Sequence, residues 1–144
     1  MTEVCFDAET RGVSASWIRR VVGGTLTSER AAKRSVSVLL TDDRRIRNIN
    51  RRFLSHDYAT DVISFGAGEA AAGPKDFLGD LVVSCQTARR VAKELGVPYR
   101  QELARYLVHG TLHLLGYRDR KKKDRERMHA RQEKILKRCL KGRP

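Results

Sequence analysis

The sequence predicts an α+β fold in which a small mixed β-sheet of about four strands packs with about five helices. Runs of β-branched residues alternate with apolar residues at helical spacing, and two predicted strands follow each other without an intervening helix. No repeat, low-complexity tract or Pro/Ser-rich linker divides the 144 residues. We therefore expect a single domain over residues 1–144.

The first part of the chain predicts one helix between two strands. Val4–Asp7 is a short strand, and the helix that follows can be capped by Ser14 or Ser16. Gly23-Gly24 is predicted to end this helix, because glycine favours helix C-termini. Ser35–Leu40 is rich in β-branched residues and is the second strand. The apolar face of the helix comprises Trp17, Ile18, Val21 and Val22.

A second helix and a hairpin follow. Thr41–Asp43 can cap a helix that runs through Phe53. Asp61–Phe65 and Leu78–Ser84 are strands that can pair with each other across residues 66–76, which are rich in Gly and Ala and are interpreted as a mobile turn.

Three helices complete the predicted fold. Residues 86–95 form a helix that Gly96 ends, and a long helix runs from Pro98 to Leu115, where Gly116 ends it. A basic helix over about residues 121–141 closes the chain. Its expected core positions are Met128, Ile135, Leu136, Cys139 and Leu140.

The chain is strongly basic, with 30 Lys+Arg, 17 Asp+Glu and a net charge of +13. Residues 117–144 hold 13 basic and 4 acidic residues, which is +9 in the last fifth of the chain. A surface of this kind attracts nucleic acid, and the alternative is a solvated helix end that aids solubility. The charge is concentrated in Arg118, Arg120, Lys121, Lys122 and Lys123.

The composition argues against secretion and membrane spanning. Cys5, Cys85 and Cys139 are odd in number, far apart and without a C-x-x-C pair, so neither a disulfide framework nor a thiolate metal site is indicated. The N-terminus lacks the pattern of a signal peptide, and no apolar run approaches the length of a membrane span. We expect a protein of the reducing cytoplasm.

The most specific local feature is a pair of histidines in the long predicted helix. His109 and His113 are four residues apart, so both imidazoles project from one helix face. Asp119 follows beyond the helix end, and two His with one carboxylate leave a fourth zinc position open, as in catalytic sites. The alternatives are a hydrogen-bonded histidine pair, an Asp119 held in surface ion pairs, and His129 as the third ligand.

Gly110 argues against a protease. In H-E-x-x-H zinc proteases the residue after the first histidine is the glutamate that acts as general base. Here that residue is Gly110. Proteolysis therefore loses support.

Three blocks of the chain carry a more specific pattern than the histidine pair alone. The first is HGTLHLLGY at 109–117, followed by Met128 and by QEKIL at 132–136. The second is Ile49-Asn50 with Phe53 and then DYATDVISF at 57–65, and the third is LGDLVVS at 78–84. Taken in chain order, they resemble the YbeY family of bacterial rRNA-maturation endoribonucleases, and the match runs from about residue 36 to 137, which is most of the chain.

The resemblance implies one Zn²⁺ per chain and an endoribonuclease that acts in small-subunit (16S) rRNA 3′-end maturation and ribosome quality control. The family's first two ligands correspond to His109 and His113, and Asp119 stands where the family has a third histidine. An anionic ligand reduces the residual charge on the ion, so we expect bound water to be less acidified than in a three-histidine site. The implied partners are rRNA and the small ribosomal subunit.

A second departure is Leu54, which stands where the family has an arginine near its active site. Leucine cannot bind a phosphate. If the helix reaches residue 54, Arg51 lies on the same face and can substitute, so Arg51 and Arg52 are expected to bind RNA; the alternative is that both face solvent. Asp80 is expected either to orient a ligand histidine or to form an ion pair. Aromatic residues are only 6% of the chain, so a base-stacking platform is poorly supported.

The leading hypothesis is thus a zinc-dependent endoribonuclease whose site residues are His109, His113 and Asp119. The second is a non-catalytic, ribosome-associated assembly factor with a structural metal, and the third is a metal hydrolase acting on peptides or small molecules. No oligomeric state is predicted.

Overall fold

The computed structural model describes residues 2–7, 12–67 and 76–141. In these parts of the chain it has four strands and five helices, which confirms the predicted α+β fold. The elements in order are β1 (Glu3–Phe6), α1 (Ala15–Ser28), β2 (Ser35–Thr41), α2 (Asp43–Leu54), β3 (Val62–Gly66), β4 (Phe77–Ser84), α3 (Cys85–Leu95), α4 (Tyr99–Leu114) and α5 (Lys122–Lys141).

The strands form one mixed sheet in the order β1-β2-β4-β3. β1, β2 and β4 are parallel, whereas β3 pairs antiparallel with β4, from Val62 opposite Val83 to Gly66 opposite Gly79. The predicted hairpin is therefore confirmed. Most of the predicted turn at 66–76 lies outside the described residues.

The two faces of the sheet are covered unequally. Alternate residues of β2 and β4 point to the face where α1 and α4 pack, and there they join the main core. The other face is covered by α2, where Ile46 packs with Ile63 and Val82 in a second, small cluster. Because α4 contacts α1, α3, α5, β3 and β4, it is the central helix of the fold.

Helix α1 corrects one prediction. Ser14, rather than Ser16, is the cap, since its Oγ accepts a hydrogen bond from the Trp17 N–H at 3.1 Å. Gly23-Gly24 does not end the helix, which continues to Ser28. Both glycines lie inside it because the next turn buries Thr25 and Leu26 in the core, and this burial outweighs the weak helix propensity of glycine.

The end of α4 matters for the site, because the chain reverses there. Gly116 adopts φ 102°, a conformation that favours glycine. The Gly116 N–H bonds to the His113 carbonyl and the Tyr117 N–H to the Leu112 carbonyl, both at 3.0 Å, which is a Schellman motif. This turn directs residues 117–121 back past the last turn of α4.

Several smaller expectations can be checked in the described residues. Trp17, Met128, Ile135 and Leu136 are buried as predicted, whereas Leu140 is exposed because it lies near the end of α5. The three cysteines are free thiols. No described helix combines the length and apolar character needed to cross a membrane.

Candidate metal centre

The end of α4 and the turn after it bring three metal-ligating side chains together. The Nε2 atoms of His109 and His113 are 3.1 Å apart, with the rings edge to face. Asp119 Oδ2 lies 3.2 Å from His113 Nε2. Ligand atoms of all three residues lie within 4.8 Å of one another, and in the described part of the chain no other group of three His, Cys, Asp or Glu residues does so.

Hydrogen bonds at the far side of each ring determine where its proton lies. His109 Nδ1 is 2.6 Å from Oε1 of Gln132, and His113 Nδ1 is 3.0 Å from the Tyr117 carbonyl oxygen. Gln132 Nε2 donates to Glu133 at 3.0 Å, which leaves its Oε1 as the atom that faces His109. Both partners are acceptors, so each histidine donates from Nδ1.

In the neutral imidazoles this tautomer places a lone pair on each Nε2. Two nitrogen lone pairs and one carboxylate oxygen then converge with no proton between them, an arrangement that a cation stabilises. Zinc ligands at about 2.0–2.2 Å in a tetrahedron are roughly 3.3–3.6 Å apart, close to the 3.1 and 3.2 Å found here. The donor types of the three residues fit a zinc ion, as do the separations of His113 from His109 and from Asp119.

Gln132 is the functional residue that the sequence reasoning missed. It lies on α5, is only 6% exposed and points from the apolar face of that helix at His109. The available signal was a polar residue four positions after Met128 and four before Leu136, in a stripe that otherwise buries apolar side chains. Asp80 does not orient a histidine: it is exposed and lines a different cavity.

Gln132 is itself supported by an ionic network on α4 and α5. Glu133 accepts two hydrogen bonds from Arg105, each at 3.1 Å, and Arg105 also pairs with the buried Glu102. Burial opposes ionisation of Glu133, but hydrogen bonds from Arg105 and Gln132 outweigh it, so the pKa of Glu133 is lowered. Gln132 therefore faces an ionised carboxylate that fixes its orientation.

The Tyr117 side chain anchors the turn that carries the acceptor for His113. Its hydroxyl donates to Glu29 at the end of α1. Arg131 on α5 donates to the same carboxylate and to the Ser28 carbonyl, each at 2.8 Å. Burial, and then the Glu29 carboxylate, raise the pKa of Tyr117, so this hydroxyl stays protonated as a donor.

Gly110 lies where α4 touches the sheet. A Cβ at this position would be 2.7 Å from Leu81 Cδ2 and 3.1 Å from Val62 Cγ2, so position 110 has no space for a side chain. Ser64 Oγ also donates to the Gly110 carbonyl at 3.2 Å. A protease-type glutamate here would clash with the sheet.

The three ligands open onto a cavity of about 550 Å³ beside the edge strand β3. Leu54 lines this cavity, as its place in the motif predicted, and α2 reaches residue 54. Arg51 does not line it; its guanidinium lies 3.4 Å from Asn48 Oδ1 on the exposed side of α2. The lining residues are Asn50, Leu54, His56, Tyr58, Thr60, Asp61, Val62, Ile63, Ser64, Gly66, His109, His113, Leu114 and Asp119.

The other predicted site residues lie outside the ligand cluster. Arg52 lines a separate cavity of about 770 Å³ on the far side of α2, with Phe53 and Phe65. His129 is exposed and lies outside the ligand cluster, although it shares a small cavity with His109 and Asp119. The basic residues of the turn and the start of α5 are all exposed: Arg118, Arg120, Lys121, Lys122 and Lys123.

Comparison with known proteins places the chain in a family. The family model for endoribonuclease YbeY matches residues 6–140. The chain belongs to this family. Its members are named as endoribonucleases, hydrolases that act on RNA, so membership supports RNA cleavage as the type of activity.

Individual relatives agree with this assignment. Endoribonuclease YbeY of Porphyromonas gingivalis strain W83 is 40% identical over 141 residues, covering 94% of this chain and 89% of the relative. That of Myxococcus xanthus is 48% identical over 104 residues, covering 70% of this chain but only 35% of the relative. The solution structure of a Thermotoga maritima protein matches with a TM-score of 0.65 at 24% identity, over 96% of this chain and 89% of that one, which supports the fold alone.

Proposed function

We propose that this YbeY family member is a zinc-dependent endoribonuclease of the cytoplasm, acting in 16S rRNA 3′-end maturation and ribosome quality control. One Zn²⁺ per chain would be held by His109, His113 and Asp119. The observation that supports this best is the convergence of two imidazole nitrogens and one carboxylate oxygen, with the proton of each imidazole held on the far side of its ring.

The chain's own residues would prepare this site in two ways. Gln132 and the Tyr117 carbonyl hold both imidazoles with Nε2 towards the ion, and Asp119 contributes a negative charge that the histidines lack. The chemistry that zinc supplies in such a site is Lewis acidity towards a phosphoryl oxygen or water. With an anionic third ligand, that acidity should be weaker than with three histidines.

RNA binding would be carried by exposed basic residues that lie outside the wall of the metal cavity. Arg118, Arg120, Lys121, Lys122 and Lys123 follow the ligand helix directly, and Arg51 and Arg52 lie on α2. Such residues hold the phosphate backbone without reading its sequence. The proposed partner is therefore rRNA, free or in the small subunit.

The test is cleavage of a single-stranded RNA that carries the 3′ end of precursor 16S rRNA. Cleavage is expected with zinc, to be lost with a chelator and to return when zinc is restored. His113→Ala should abolish it, whereas His129→Ala, which changes a histidine outside the cluster, should retain it. Cleavage that persists in chelator and in His113→Ala would refute the proposal.

A second candidate, the assembly factor with a structural metal, is favoured by one observation. Leu54 contributes an apolar side chain to the cavity wall, where it cannot stabilise charge on a phosphoryl group. Rescue of ribosome assembly by a folded variant without RNA cleavage would support this candidate over the nuclease.

A further inference from the structure

The loop after α2 places two aromatic side chains at the wall of the metal cavity. His56 and Tyr58 both line it together with the ligands on α4, and both are exposed; Tyr58 is 55% exposed. Their ring centroids are 5.4 Å apart at an interplanar angle of 44°. Two exposed rings beside a cavity form a surface on which a planar group can stack.

The backbone under these rings is held by a buried amide. Asn50 is 2% exposed, and its side-chain Nδ2 donates to the Tyr58 carbonyl at 3.0 Å. The main-chain carbonyl of Asn50 accepts a hydrogen bond from the His56 N–H at 3.2 Å. Arg47 adds an ion pair to Asp57 at 2.9 Å. The loop backbone is thus fixed from α2, so the rings are presented to solvent without a large ordering cost on binding.

The chemistry of the two rings suits single-stranded RNA. A tyrosine ring stacks on any nucleobase, and an imidazole N–H can donate to a phosphate or ribose oxygen. Leu54 contributes an apolar side chain to the same cavity. A base that stacks on Tyr58 would place its neighbouring phosphate on the side of His109, His113 and Asp119.

We propose that His56 and Tyr58 form the nucleotide-binding wall of the metal cavity, holding one base of single-stranded RNA next to the phosphate to be cleaved. This proposal rests on the proposed function, which identifies RNA as the ligand of the cavity. It revises the sequence-based expectation that a base-stacking platform is poorly supported, since one two-ring wall is sufficient for a single base. It also assigns a phosphate contact inside the cavity to His56, because Arg51 does not line this cavity.

The test measures binding, and not cleavage, of a fluorescently labelled single-stranded oligoribonucleotide to the full chain as purified. RNA integrity is checked by electrophoresis after each anisotropy titration. Tyr58→Ala is expected to weaken binding about tenfold and Tyr58→Phe to leave it unchanged, because the ring provides the stacking. His56→Ala should weaken binding about threefold to tenfold, and His56→Gln should recover part of the loss, because an amide N–H also donates.

A matched control and a modified RNA make the result specific. Phe53 is also an exposed aromatic of this region, but it lines the cavity on the far side of α2, so Phe53→Ala should bind RNA like the parent chain. With an oligonucleotide that has abasic positions, the parent chain and Tyr58→Ala should bind with the same affinity, because no base is present to stack on the ring.

Two results would overturn the proposal. One is unchanged affinity in both Tyr58→Ala and His56→Ala while both remain folded, and the other is an equal loss in Phe53→Ala. Failure of the proposed function is a separate outcome. If RNA binding depends on Tyr58 as expected but no zinc-dependent cleavage occurs, the nucleotide-binding wall is supported and the nuclease activity is refuted.

Discussion

At the scale of single residues, Gln132 determines which nitrogen of His109 faces the ligand cluster. The i, i+4 spacing of His109 and His113 could be predicted from sequence because helical geometry is local. The role of Gln132 could not, because it depends on how α5 packs on α4, 23 residues further along the chain. Asp119 could be proposed as a ligand from the sequence, but its position next to His113 depends on the turn at Gly116.

Replacement of Gln132 tests this orientation directly. Gln132→Leu removes the acceptor for His109 Nδ1, so we expect the zinc affinity to fall about tenfold to a hundredfold with the fold retained. Gln132→Glu keeps an acceptor at the same position and should lose less. Competition with a chromophoric chelator measures both, and wild-type affinity in Gln132→Leu would show that the hydrogen bond does not support the site.

At the scale of elements, close packing of α4 on the sheet sets the position of the ligands. The helices and strands were predictable from periodicity, but the end of α1 was not, because burial of Thr25 and Leu26 carries the helix past two glycines. From the sequence, Gly110 could likewise be interpreted only as the absence of the glutamate that zinc proteases have at this position. Its structural reason, contact with Leu81 and Val62, comes from long-range packing.

The two glycine positions give opposite predictions for the same substitution. Gly110→Ala should lower the free energy of unfolding by about 1–3 kcal/mol, because its Cβ would overlap Leu81 and Val62. Gly23→Ala should raise it by about 0.5–1 kcal/mol, since that position is helical and has no atom within 4 Å of an added Cβ. Urea denaturation measures both; equal effects would contradict the packing described for α4.

Asp43 gives a pH-dependent prediction for the junction of α2, β4 and α3. Burial opposes its ionisation, but hydrogen bonds from Ser84, Thr87 and Arg90 outweigh this and lower its pKa below 3.8. A lowered carboxyl pKa stabilises the fold above the unfolded-state pKa, and this stabilisation is lost as pH falls through the folded-state pKa. Asp43→Asn should therefore be less stable than the parent near neutral pH.

The difference in free energy of unfolding between Asp43→Asn and the parent should become smaller once the pH falls below 3.8. Urea titrations of the two proteins across this range measure it. A difference that is independent of pH would show that the carboxylate charge is not what stabilises this junction.

At the scale of the whole molecule, the α+β class and the β3–β4 hairpin were predictable, but the strand order β1-β2-β4-β3 was not. Strand order depends on which crossovers bury the most apolar surface, and that is a property of the assembled chain. The uneven charge was visible in sequence, and the structure places its basic cluster next to Asp119. RNA binding should accordingly weaken with salt.

Changing Lys121, Lys122 and Lys123 together to Gln should flatten the salt dependence of RNA binding. If all three contact phosphates, the slope of log affinity against log salt should fall in magnitude by about 2. A control with the same charge change uses three exposed lysines that line no described cavity: Lys33, Lys93 and Lys137. An unchanged slope in the first variant, or equal changes of slope in both variants, would show that Lys121, Lys122 and Lys123 do not contact the RNA.

The central claim is that His109, His113 and Asp119 hold one zinc ion, and metal content measured by elemental mass spectrometry tests it most directly. About one zinc per gently purified chain is expected, with a sharp fall in Asp119→Ala handled identically. Zinc retained in full by Asp119→Ala would remove Asp119 from the ligand set. A parent chain that holds no zinc, even after zinc is added back, would contradict the account.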